Sequence, residues 1–206
     1  MTGSILLGIF IIILVLVAVL VVRTCSRQPT PAMTASVELD KGPRAREYGE
    51  QLSKMIQKET VSSRFDSDKT KYYEFHKILE ELFPLVHKTC EKHVFNGNLL
   101  FKWSGKGKAE PILLMSHQDV VEANGSWEHE PFGGYIDGEG KLWGRGTVDT
   151  KGSLYCIFRS VEELIAEGFQ PEGDVYIASS CTEEFSGEGA PLTVEYLQSQ
   201  GVKLSL

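Results

Sequence analysis

Three short polar clusters carry the residue types that hold cations or move protons. The first, Ser116-His117-Gln118-Asp119, follows directly on the apolar run Ile112-Leu113-Leu114-Met115. A neutral imidazole is a good zinc ligand, and a carboxylate two residues on can hold the ring in one tautomer; the plainer reading is a loop histidine hydrogen-bonded to an aspartate. The second cluster, Gly144-Arg145-Gly146-Thr147-Val148-Asp149-Thr150-Lys151-Gly152, leads into a helical stretch. Asp149 there either caps the helix or bridges two cations, with the glycines allowing close approach of the backbone. The third, Thr182-Glu183-Glu184, follows the apolar run that begins at Val175. Adjacent carboxylates repel unless a cation or a proton lies between them. If the backbone is extended there, the two side chains point in different directions, so that one can bind metal while the other works as general base; two solvated surface glutamates are the alternative.

Each cluster needs an element to position it. Tyr72, Phe75, Leu79, Leu82 and Val86 recur at helical spacing, with Asp68 at the N-cap. His93 to Trp103 and Pro111 to Ser116 are apolar runs separated by the turn-like Ser104-Gly105-Lys106-Gly107-Lys108, which predicts two neighbouring strands. Leu154, Ile157, Phe158, Val161, Leu164 and Ile165 again follow the helical period, with Gly168 as the stop. Asp174 to Ser180 reads as a short buried strand, Pro191 to Gln200 as a helix ended by Gly201, and Val202 to Leu206 as the start of a further strand. The order predicts an α/β fold, a layered sheet with flanking helices. All three clusters fall at strand ends, where open α/β sheets place their ligand sites.

The 206 residues carry 21 basic and 28 acidic side chains, and all of these lie beyond Val22. Residues 5–22 are apolar apart from Gly8, long enough to approach the roughly 30 Å hydrocarbon core of a bilayer. No basic residue precedes this stretch and no small-residue cleavage site follows it, so it reads as an uncleaved single-pass anchor, residues 1–22. Residues 23–43, rich in Pro, Thr, Ser and Ala, read as a linker, and residues 44–206 as the folded domain. Arg23 and Arg27 place that domain in the cytoplasm by the positive-inside rule, whereas the sequon Asn124-Gly125-Ser126 points to a secretory lumen. The net charge of −7, with no basic stripe, argues against a nucleic-acid partner. Cys25, Cys90, Cys156 and Cys181 form no CxxC pair, so neither a zinc ribbon nor a redox motif is present.

The clusters occur in the order His-x-Asp, Trp127 with Pro131-Phe132, Gly-Arg-Gly-x-x-Asp-x-Lys-Gly, and Thr-Glu-Glu. In that order they resemble the dinuclear zinc metallopeptidase family of aminoacylase, carboxypeptidase S and succinyl-diaminopimelate desuccinylase, most closely its carboxypeptidase S and N-acyl-amino-acid hydrolase branch. The resemblance covers roughly residues 44–206 and implies a zinc exopeptidase-like catalytic domain with two zinc ions. His117 would bind one zinc, Asp149 would bridge both and Glu184 would bind the other. Asp119 would orient His117, and Glu183 would be the general base that takes a proton from the metal-bridging water. The substrate implied is a small peptide or an N-acyl amino acid. Thr150 departs from the Asp or Met that the family usually has between the bridging Asp and the Lys.

The family supplies a further acidic ligand and a last histidine, together with a smaller inserted domain that mediates dimerisation. None of these lies within the 206 residues, so the expectation is an N-terminal portion, inactive as it stands, that can form a homodimer only if the inserted domain is present. A non-catalytic membrane-anchored fragment acting as a binding module is the competing reading.

Overall fold

The computed structural model describes residues 2–26, 42–65 and 67–205. The chain divides into two compact units, Met1–Asp40 and Lys41–Leu206. The described part of the first is a single helix, α1 (Thr2–Cys25), of which Ile5–Cys25 is long and apolar enough to cross a membrane, a property it shares with signal sequences. Most of the linker expected over residues 23–43 lies outside the described residues.

The second unit is a mixed α/β layered domain. Its elements are α2 (Pro43–Gln57), α3 (Thr70–Leu82), α4 (Pro84–Thr89), β1 (Glu91–Phe95), β2 (Asn98–Trp103), β3 (Ile112–His117), β4 (Tyr135–Ile136), β5 (Leu142–Trp143), α5 (Lys151–Ala166), β6 (Val175–Ser180) and α6 (Gly189–Ser199). The main sheet has the order β1-β2-β6-β3, with β3 and β6 parallel and the other pairs antiparallel. Strands β4 and β5 form a small separate ribbon.

Both faces of the sheet are covered, which is why its central strands carry apolar residues on both faces. Leu99, Phe101, Trp103, Val175 and Ile177 enter a core shared with Met55, Phe75, Leu79, Phe83, Leu154 and Phe158 from the helices. The intervening Leu100, Tyr176 and Ala178 face a smaller core with Leu197 of α6, the two-residue alternation of a strand buried on both sides.

Five expectations change. The run from His93 to Trp103 is not one strand but a hairpin, in which Asn96 and Gly97 take positive φ values of 47° and 87°. That is the conformation an Asn-Gly pair supplies in a two-residue hairpin turn, and it reverses the chain. The runs on either side of Ser104 to Lys108 are not neighbours, because β6 lies between β2 and β3. Instead of closing a hairpin, the intervening turn residues bond to the segment before β6: the Lys106 amide donates to the Pro171 carbonyl and the Gly107 amide to the Glu172 carbonyl, both at 2.9 Å.

The helical period from Tyr72 to Val86 covers two helices. Pro84 excludes helical geometry at the residue before it, and Phe83 adopts φ −133°, ψ 60°. Buried Glu162 of α5 caps the new helix by accepting the Leu85 and Val86 amides at 3.0 and 2.8 Å. Asp68 does accept the Thr70 amide at 2.8 Å, although Lys69 occupies the N-cap of α3. Residues 202–205 form no regular strand; Val202 and Leu204 pack on the smaller core, and the Ser205 amide reaches the Pro111 carbonyl at 2.8 Å.

Replacing Glu162 with Ala strips both α4 amides of their acceptor inside the core. It is expected to lower stability by about 2 kcal/mol, read from the chemical-denaturation midpoint; an unmoved midpoint would refute the capping role.

Candidate metal centre

The parallel pairing of β3 with β6 sets Ser116 against Ser179 and His117 against Ser180, so both strands end at the same level. Their continuations, Gln118-Asp119 and Cys181 to Glu184, therefore emerge side by side. The Gln118 amide donates to the Ser180 carbonyl at 2.8 Å and extends the pairing past the last ladder residue. The third component comes from the loop before α5, where Asp149 precedes the first helical residue by two positions.

His117 is the centre of the cluster and is 8% exposed. Its Nδ1 lies 2.9 Å from the backbone carbonyl of Asp119 and 3.5 Å from that residue's carboxylate. Its Nε2 faces outward, 3.0 Å from Asp149 Oδ1 and 3.6 Å from Glu183 Oε2. One donor atom each from His117, Asp149 and Glu184 lie within 4.8 Å of one another. Zinc with bonds of about 2.1 Å in tetrahedral geometry wants donors roughly 3.4 Å apart. One imidazole nitrogen and two carboxylates within 4.8 Å of one another are a donor set of the kind that holds such an ion after small side-chain adjustment.

Of the two open readings of Asp149, the geometry weighs against the helix cap. Thr150, not Asp149, occupies the N-cap of α5, and no side-chain bond caps the helix; the Asp149 carboxylate is 75% exposed and turned to His117. The Asp149–Thr150 peptide is cis. Within this loop the close return of the chain demands glycine at position 152, where a Cβ would stand 2.2 Å from the Thr147 carbonyl oxygen.

Glu183 and Glu184 are not on an extended backbone. They lie in a turn closed by the Gly187 amide on the Thr182 carbonyl (2.7 Å) and the Ser186 amide on the Glu183 carbonyl (2.8 Å). What holds this turn at the site is Asp119. Its fully buried carboxylate accepts the Glu184 amide at 3.1 Å, the Glu183 amide at 3.3 Å and the Ser62 hydroxyl at 2.7 Å. Ser62 carried no sequence signal, since nothing in its neighbourhood shows that residues 60–62 run beside Val120. Lys151 stood in the glycine-rich motif without a role; its Nζ is buried against the end of α2.

The charges follow from this geometry. Burial alone would raise the Asp119 carboxyl, but hydrogen bonds from His117, Ser62 and the Glu184 amide together outweigh it and hold the group below the usual carboxylate range. Burial likewise works against an imidazolium at His117, yet the Asp119 carboxylate and carbonyl, with Glu183 beyond, push it up to about 9. Glu184 is raised by burial and then by the charges of Asp149, Asp119 and Glu183, against the pull of His117.

The layering is that of M20 metallopeptidases. An M20 family metallo-carboxypeptidase from Sulfolobus solfataricus superposes with a TM-score of 0.62 at 17% identity, covering 77% of this chain and 36% of that one. Residues 113–205 match the model of peptidase family M20/M25/M40. The chain is 33% identical to a probable carboxypeptidase S-like protein of Dictyostelium discoideum, over 88% of its own length and 37% of the relative's. It is 37% identical to an N-fatty-acyl-amino acid synthase/hydrolase of Xenopus tropicalis, over 98% of its own length and 42% of the relative's. The chain carries a peptidase family M20 domain and spans well under half the length of these curated relatives.

A zinc ion bound at Nε2 would have to displace the proton that His117, pushed up to about 9, otherwise keeps. The raised value stabilises the metal-free fold fully below the ordinary histidine value of 6.5, and this contribution is lost as pH rises through about 9. Zinc binding near neutral pH is therefore expected to release about one proton, and affinity to fall about tenfold per unit of acidification. Calorimetry in buffers of different ionisation enthalpy measures both; binding without proton release would remove His117 from the ligand set.

Proposed function

We propose that the protein is a zinc-dependent amide hydrolase acting on N-acyl amino acids or short peptides, of the carboxypeptidase type. One observation carries the reading: the donor atoms of His117, Asp149 and Glu184 converge within 4.8 Å, with the Glu183 carboxylate 3.6 Å from the same imidazole. The chain's similarity to a probable carboxypeptidase S-like protein and an N-fatty-acyl-amino acid synthase/hydrolase supports the substrate class.

Two zinc ions are proposed; His117 would hold one, Glu184 would hold the other and Asp149 would serve both. Zinc at this place would polarise the scissile carbonyl and make water easier to deprotonate. Asp119 keeps Nδ1 of His117 occupied, leaving Nε2 to face the ion, and carries the turn that presents both glutamates. Glu183, the more exposed of the pair and free of a proposed metal bond, takes the proton from the attacking water and returns it to the leaving nitrogen. The peptide or acyl chain is thereby cleaved into an amine and a carboxylate.

The proposed layout is a membrane anchor (residues 1–22), a linker (23–43) and the catalytic segment (44–206). The apolar character of Ile5–Cys25 supports the anchor, and Arg23 and Arg27 support a cytoplasmic domain.

The test is zinc-dependent turnover of N-acyl amino acids and dipeptides by this segment completed with the remaining M20 ligands, since the 206 residues alone are expected to be inactive. Glu183→Gln is expected to lower kcat by about 100-fold to 10,000-fold while zinc binding is kept. Undiminished turnover in that variant would refute the assigned base, and absence of zinc binding by residues 44–206 would favour the binding module.

A further inference from the structure

We propose that Lys151 is a positioning residue for the metal centre, fixing Asp149 in place by fastening the start of α5 to the end of α2. Lys151 is fully buried. Its Nζ donates to the carbonyls of Met55 at 3.1 Å and Lys58 at 2.6 Å and lies over the ring of Phe75, 5.0 Å from its centre. These carbonyls belong to the last turn and C-cap of α2, where the helix itself supplies no partners and the backbone dipole is negative. Lys151 thus completes a helix whose sequence neighbour it is not.

The consequence reaches Asp149 through the backbone. The Lys151 amide closes the loop on the Gly146 carbonyl at 2.9 Å. From the opposite side the Ser116 hydroxyl, one residue before His117, donates to the Thr150 carbonyl at 3.1 Å. The two residues that follow Asp149 are therefore gripped by α2 on one side and by β3 on the other. The Asp149 side chain is itself largely exposed, so little packing sets its direction and the backbone grip must do so. Lys151 Nζ points into α2, away from the reacting atoms, which makes this a positioning and not a catalytic role.

The proposal rests on Asp149 being a ligand, and the experiment separates the two. Zinc affinity of the detergent-solubilised full chain is measured by competition with a chromophoric chelator, alongside the visible spectrum of the cobalt-loaded protein. Lys151→Met keeps the stem and removes the donors; it is expected to weaken zinc binding at least about tenfold, the usual effect of losing support behind a ligand, and to alter the cobalt spectrum. Leu79→Ala, in the same core but away from the loop, should lower thermal stability and keep parental affinity. Parental affinity in Lys151→Met, or an equal loss in Leu79→Ala, would overturn the positioning role. Asp149→Ala with parental affinity would overturn the ligand reading and the proposal with it. Should Lys151→Met fail to fold, Ser116→Ala tests the same grip from the strand side: a loss of about threefold or more supports it, and parental affinity overturns it.

Discussion

A carboxylate sealed from water must find donors on every side, and the site is organised around one such group, Asp119. Its donors come from three separated stretches: the imidazole of His117 beside it, the Ser62 hydroxyl, and the amides of Glu183 and Glu184. The main chain around it is tied as well, with the Val120 amide on the Thr60 carbonyl and the Ser62 amide on the Val120 carbonyl. Leaving any of these donors out of place would strand a buried charge, at a cost larger than that of most single contacts. Satisfying Asp119 therefore brings a histidine and two glutamates to one point.

That arrangement concentrates negative charge. Asp119, Asp149, Glu183 and Glu184 surround a single imidazole, which responds by holding a proton up to about pH 9. The proton is a poor substitute for a divalent ion, because it sits on one ring and cannot lie between carboxylates on opposite sides. Glu184 shows the residual tension, raised by burial and by its acidic neighbours. A cation bound among these carboxylates would relieve that repulsion.

Much of this was legible beforehand. The apolar N-terminal segment, the helix through Phe158, the buried strand through Ile177 and the order of the three clusters all depend on local period and composition. What was missed depended on neighbours. Helix α2 is the exception: Tyr48, Leu52, Met55 and Ile56 keep helical spacing and Pro43 opens the helix, so its signal is local. The Asn96-Gly97 turn was visible and went unread inside a longer apolar run. The entry of β6 between β2 and β3 left no local trace at all, because an apolar run does not say which strand it will join.

The sequence by itself determined which residues could do chemistry and the class of fold that carries them, since side-chain type and hydrophobic period are local properties. Only the tertiary structure decided that Asp149 turns to His117 instead of capping α5. It also decided that Asp119 accepts the amides of Glu183 and Glu184 as well as facing the imidazole, that Ser62 donates to it, and that Lys151 reaches the end of α2. The physical reason is the same in each case: a hydrogen-bonding group takes the partner that packing leaves within reach, and here that partner lies up to about a hundred residues away in the chain.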